Sequence, residues 1–224
     1  LRVRIYDLDG MCVASHAESY ETEFLPGARA EQNAEDWWSS LVKATNNCLK
    51  EANISGEAID AMAYATTCCT VVALDKVGKP LRPALMWMDV RANKEAQAVL
   101  DTRDKRLVLN GNGQGPVSAE WMIPKALWLK RNEPQIFDDA VTICEYQDYL
   151  TMRLTGERCV SLNNIGLRWH YANRDGGWAT SILETLDMPD LLDKWPSRVV
   201  APGDVVGNLS AAAAAELGLT TRTK

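Results

Sequence analysis

Histidine is nearly absent: His16 and His170 are the only two in 224 residues. None of the six cysteines (Cys12, Cys48, Cys68, Cys69, Cys144 and Cys159) forms a C-x-x-C pair, so the ligand spacing of a structural zinc site is missing. Neither histidine lies in a nucleophile-elbow setting and no G-x-S-x-G occurs, which removes the usual mark of an α/β-hydrolase triad. No P-loop and no G-x-G-x-x-G fingerprint are present. The second absence disfavours a nucleotide-dependent oxidoreductase. No apolar run approaches the roughly 20 residues of a membrane span, and Leu1–Tyr6 is too short and too charged for a signal peptide. A basic excess is also lacking. The net charge is −6, which argues against a general nucleic-acid binder and leaves room for a phosphorylated ligand held by local groups. Scattered cysteines in apolar surroundings fit reduced, buried thiols in a cytoplasmic protein.

What remains is an ordinary globular composition, 46% hydrophobic and 24% charged, enough for one large domain or two small ones. Arg2–Tyr6 alternates as a half-buried strand does, and Asp7-Leu8-Asp9-Gly10 turns it into a partner at Met11–Ser15. Glu18–Phe24 reads as a third antiparallel strand, broken by Pro26-Gly27. Asn33 caps a helix whose stripe Trp38, Leu41, Val42, Thr45, Cys48, Leu49 and Ala52 faces a core. Ile59–Ala65 and Val71–Leu74 read as buried strands, Ala84–Met88 as another, and Val141–Cys144 as a fourth short run. Helices are predicted over Asn93–Leu100, Ser118–Lys130, Asp148–Leu154, Trp178–Leu186, Asp190–Lys194 and Ala211–Leu217, the last capped by Ser210 and stopped by Gly218. Early strands followed by alternating helices and strands give an α/β class.

The densest chemistry lies in Lys79–Ala92, where the apolar run Ala84–Met88 meets Asp89 and Arg91. Trp87, Asp89 and Arg91 at one strand end offer an aromatic wall, an acceptor and a cation, as a polyol or sugar requires. Ligands of open α/β sheets bind at such carboxyl ends. Asp89 and Arg91 pairing only with each other is the equally weighted alternative. Gly111-Asn112-Gly113-Gln114-Gly115 lacks phosphate-loop spacing and reads as a plain loop. Cys68-Cys69 invites a redox reading, but adjacent residues on a strand point to opposite faces. Trp121 and Trp169 suit either sugar stacking or the core.

Taken in order, several pieces resemble the N-terminal half of the FGGY family of carbohydrate kinases, the group of glycerol kinase, xylulokinase and ribulokinase. They are Tyr6-Asp7-Leu8-Asp9-Gly10, Pro26-Gly27 running into Glu35-Asp36-Trp37-Trp38, and Leu74-Asp75 to Pro83. Then follow Trp87–Ala92, Pro124-Lys125-Ala126-Leu127-Trp128-Leu129, Asp148-Tyr149-Leu150, Arg153–Gly156, Gly177-Trp178 and Gly218-Leu219. No single piece is specific; the ordered set is. The resemblance implies an actin-like, ribonuclease-H-like ATPase fold, a mixed sheet flanked by helices. It also implies ATP- and Mg²⁺-dependent phosphorylation of a sugar or polyol hydroxyl, a pentulose such as xylulose or ribulose, by a longer parent that could be a homodimer. Carried over residue by residue, it places sugar contacts at Thr67, Cys68, Cys69, Trp87, Asp89 and Glu120, with Arg91 as partner of Asp89. The family's first strand, Asp-x-Gly-Thr, would precede Leu1. Its base, an Asp in a glycine-rich segment, would follow Gly218-Leu219. Residues 1–224 are thus expected to be an incomplete N-terminal domain, lacking its first strand and inactive alone. A non-catalytic sugar-binding or remnant domain of the same fold is the alternative.

Overall fold

The structure, a computed structural model, describes residues 1–109 and 117–224; the glycine-rich stretch Gly111–Gly115 lies outside them. Strands β1 (Arg2–Tyr6) and β2 (Cys12–Ala17) form an antiparallel hairpin in which Arg2 faces Ala17 and Ile5 faces Ala14. Asp7 Oδ1 builds the turn by accepting from the amides of Asp9 and Met11. Next come β3 (Glu23–Leu25) and β4 (Arg29–Gln32), then the 19-residue α1 (Ala34–Ala52). The Asn33 side chain caps α1 by accepting from the Glu35 amide at 3.2 Å, which satisfies one of the orphan donors of the first turn. Asn53 ends the helix in the left-handed region, φ 53°, a conformation that Asn tolerates better than most residues.

The remaining elements are β5 (Val71–Leu74), β6 (Ala84–Leu85), α2 (Asn93–Asp101), α3 (Met122–Asn132), α4 (Pro134–Asp139), β7 (Thr142–Glu145), α5 (Tyr146–Thr155), β8 (Cys159–Ser161), α6 (Leu162–Arg168), α7 (Thr180–Thr185), α8 (Leu191–Lys194), β9 (Arg198–Val200) and α9 (Ala211–Leu217). The main sheet has the order β3-β4-β6-β5-β7, and every pairing in it is antiparallel. The parallel pairing expected of a mixed sheet occurs apart from it, between β8 and β9.

Both faces of the main sheet are covered, and β5 shows why. Its side chains alternate between faces. Val71 and Ala73 join one core with Ile123, Leu127, Ile143 and Trp169, while Val72 and Leu74 join another with Trp37, Cys144, Tyr149 and Leu217. A strand buried on both faces reads as a continuous apolar run, because no position is left for a polar residue. Trp37 anchors the second core by stacking on Tyr146, ring centroids 3.8 Å apart.

Three expectations are corrected. Ile59–Ala65 is not a buried strand: among the described residues it pairs with no named strand and alternates between exposed and half-buried. Its polar backbone is met in part by the C-terminus, where Met62 N donates to Lys224 O at 2.7 Å and Lys224 N to Asp60 O at 3.0 Å. The third strand shrinks to Glu23–Leu25 and pairs across the Pro26-Gly27 break with Arg29–Gln32, to which the sequence reading gave no strand, rather than with the hairpin. The Ala84 strand stops at Leu85, before Trp87, because Asp89 closes a turn there by donating its amide to Met86 O at 3.0 Å. Among the described residues no helix is long and apolar enough to cross a membrane.

Candidate functional site

The segment leading into β5 and the segment leaving β6 meet over the start of α3, and one buried cation joins them. Lys125 sits in the first turn of α3 in the apolar run Met122-Ile123-Pro124-Lys125-Ala126-Leu127, and is fully buried. Its Nζ donates to the carbonyls of Cys69 at 2.6 Å, Met86 at 2.5 Å and Leu85 at 3.3 Å. Three donors meet three acceptors, so the ammonium is satisfied without a carboxylate in contact. Burial lowers its pKa to about 8, against the upward pull of Cys69, Asp89, Glu145 and Glu120.

Cys69 is held from its other end as well. Its amide donates to Glu145 Oε2 at 2.9 Å, and Glu145, at the end of β7, is fully buried. The same carboxylate accepts from Trp169 Nε1 at 2.7 Å and Asn164 Nδ2 at 3.2 Å. Burial raises the Glu145 pKa, opposed by the bonds from Trp169 and Cys69. Asp148, buried below it, accepts from the Glu145 amide at 3.0 Å, and burial together with the Glu145 charge pushes it up to about 8. Between its two charged partners Cys69 adopts φ 66°, a region costly for a residue with a Cβ. Burial, then the Glu145 charge, pushes the Cys69 thiol far up. Cys69 thus lacks the exposed, electropositive setting of a reactive thiol.

Trp87 is joined to the same place. Its amide donates to Thr70 Oγ1 at 3.1 Å, and its side chain is left 40% exposed, an open aromatic face beside the loop. Thr67 is exposed and Cys68 half-buried on that loop. Glu120 is half-buried, with its amide donating to Ser118 Oγ at 3.2 Å. Its neighbour Trp121 is buried, flanked by the Arg168 guanidinium at 5.5 Å and edge-on to His170 at 5.4 Å.

Asp89 and Arg91 pair with each other. Asp89 is fully buried. Its Oδ1 accepts from Arg91 N at 3.0 Å and Nε at 2.9 Å, and its Oδ2 from Ala30 N at 2.7 Å and an Arg91 terminal nitrogen at 2.7 Å. A carboxylate has about four lone-pair positions, and all are taken. Burial would raise the Asp89 pKa, but the Arg91 and Ala30 bonds hold it below its ordinary value. Arg91 also reaches Glu31 at 2.7 Å and lies over the Trp128 ring at 4.9 Å. The pair thus ties β4, the turn after β6 and α3 together behind Trp87.

The structure brings Cys69, Trp87 and Asp89 together through the carbonyls of Cys69 and Met86; the two charges that organise the place, Lys125 and Glu145, were not named as site residues in the sequence reading. The lysine inside an apolar helical run was the available signal. Glu145 has none, since a carboxylate ending a short strand looks like any surface residue. The surface hollow of about 520 Å³ lined by Asn46, Lys50, Asn53, Ser55, Gly56 and Gly218 lies at the far end of α1 and involves none of these groups.

Comparison with known proteins gives this arrangement a setting. The profile of the FGGY family of carbohydrate kinases, N-terminal domain, matches residues 1–224. The chain is 32% identical to ribulokinase 1 of Staphylococcus saprophyticus over 87% of its own length and 39% of that protein. It is 28% identical to the FGGY carbohydrate kinase domain-containing protein of Xenopus laevis over 98% of its length and 41% of that protein. A crystal structure of xylulose kinase from Brucella ovis superposes with a TM-score of 0.85 at 22% identity, covering 98% of this chain and 44% of that one. The chain belongs to the FGGY family of carbohydrate kinases and has the α/β, actin-like fold of their N-terminal domain. It spans about two fifths of the curated relatives it matches.

Proposed function

We propose that this chain is the sugar-binding side of a kinase that transfers the γ-phosphoryl group of ATP to a hydroxyl of a pentulose such as xylulose or ribulose. The observation that carries the reading is the half-open Trp87 face beside a backbone loop held in one shape. Ligand sites for polyols combine such an apolar wall with a few fixed polar groups. Trp87 supplies the wall. Thr67, the backbone of Cys68 and Cys69, and Glu120 supply hydrogen bonds to hydroxyls. Asp89 and Arg91, engaged with each other, brace the turn that presents Trp87.

Phosphoryl transfer is mostly positioning and charge stabilisation. This chain's share is to hold the acceptor; among its described residues no group of three His, Cys, Asp or Glu could hold a metal ion. Residues 1–224, about two fifths of the length of the relatives they match, are expected to show no turnover with Mg-ATP and any pentulose on their own. A homodimer of the whole protein is part of the same proposal. The test is a phosphorylation screen of the full-length protein over pentuloses, polyols and glycerol. Turnover of a pentulose at much higher kcat/KM than glycerol is expected; turnover of none of them overturns the reading.

A further inference from the structure

We propose that Lys125 and Glu145 act as a pair of positioning residues that lock Cys69 in its left-handed conformation and so aim the Thr67–Cys68 loop at the sugar. The use to which the loop is put rests on the sugar-kinase reading; the clamp itself does not. Glu145 takes the N–H of Cys69 and Lys125 its C=O. The two opposite charges thus meet through one residue's backbone rather than by contact. Buried charges are costly to desolvate and are often replaced without loss by apolar residues where only stability is at stake. Here both lie under the loop that carries Thr67 and Cys68, and Lys125 binds the chain just before Trp87 as well. Charge-assisted bonds are stronger than neutral ones and can hold a backbone shape that Cys69 disfavours alone.

The test uses the full-length protein with Lys125→Met, Lys125→Arg and Glu145→Gln. Alkylation of Cys68 and Cys69 by iodoacetamide is followed by peptide mass spectrometry. Cys48 and Cys144, both fully buried, report whether the fold is intact. KM for pentulose and for ATP is measured on the same samples. The clamp predicts that Lys125→Met and Glu145→Gln speed alkylation of Cys68 by about tenfold, the scale of one lost charged hydrogen bond, with Cys48 and Cys144 still protected. Sugar KM should rise by a similar factor while ATP KM stays within about twofold, and Lys125→Arg, which keeps the charge, should recover part of both. If Lys125→Met also exposes Cys48 and Cys144, Glu145→Gln decides on the same criteria. Unchanged Cys68 alkylation in a folded variant overturns the clamp, whatever the substrate. A faster Cys68 with an unchanged sugar KM overturns the positioning role. A wild type that phosphorylates no sugar fails the kinase reading, while the alkylation result still reports the clamp.

Discussion

Lys125 and Glu145 grip the two ends of one residue: the ammonium donates to carbonyls, Cys69 O at 2.6 Å among them, and the carboxylate accepts the Cys69 N–H at 2.9 Å. The loop before β5 is thereby fixed to α3 on one side and to the end of β7 on the other. The turn that carries Trp87 hangs from the same ammonium through Met86 O. A loop held rigid in this way suits the acceptor-holding role proposed for it, because catalysis by positioning depends on fixed geometry.

The clamp gives a pH dependence with a definite sign. Burial brings Lys125 to about 8, against about 10.4 in an unfolded chain. Between those values the unfolded chain holds a proton that the folded chain has lost, so this group's contribution to stability rises with pH. The clamp changes in the other direction, because a neutral amine has two N–H groups for three carbonyls. Sugar KM should therefore climb above about pH 8 without a loss of stability from this group. Asp148, held near 8 when folded, acts below that range: its contribution is fully present below its unfolded pKa of about 3.9 and falls as pH rises toward 8. KM against pH, with thermal melts on the same samples, checks both; a flat sugar KM through pH 8 contradicts the clamp.

Asp89→Ala should act chiefly on stability. It leaves the Arg91 guanidinium, 3% exposed, without its main counter-charge and frees the Ala30 amide. Breaking a buried pair on one side costs about 3–5 kcal/mol. A drop of that size in urea unfolding free energy is expected, with sugar and ATP kinetics changing together at temperatures where the variant stays folded. A sugar-specific KM effect at unchanged stability would instead make Asp89 a direct sugar contact.

Gly56→Ala probes the other end of α1. A Cβ at Gly56 would meet Gly218 O at 1.8 Å, and backbone cannot swing away as a flexible side chain does. Overpacking of this kind costs about 1–3 kcal/mol. Lower thermal stability with an unchanged sugar KM is expected, since the hollow that Gly56 and Gly218 line includes none of the candidate-site residues. An unaltered melting temperature would mean that Gly56 does not lie against Gly218 as described.

Legibility in the sequence followed physical cause. Elements marked by local chemistry were readable to within a residue or two: α1 from the Asn33 cap and its apolar stripe, α9 from Ser210 and Gly218, and β5 from its unbroken apolar run. Ile59–Ala65 has the composition of a strand but no partner among the named strands, and partners are not written in local sequence. The parallel pair β8–β9 joins residues about 40 apart in three-residue strands, too short for any periodicity to register. The site was legible as a neighbourhood, through Trp87, Asp89 and the Cys68-Cys69 loop. That Asp89 is spent on Arg91 and Ala30, and that Glu145 reaches Cys69 across 76 positions, are facts of tertiary placement.

The central claim is that Trp87 is the wall of a sugar site in a kinase. Its most direct test is steady-state kinetics of the full-length protein and its Trp87→Ala variant, varying pentulose and ATP in turn. Trp87 is 40% exposed and its link to Thr70 is through its backbone amide, so the substitution should leave the fold intact. A loss of kcat/KM for the pentulose of about tenfold or more is expected, the worth of an aromatic contact of roughly 1.5 kcal/mol, with ATP KM within about twofold of wild type. Equal kinetics for the two proteins, or the same loss toward both substrates, would contradict it.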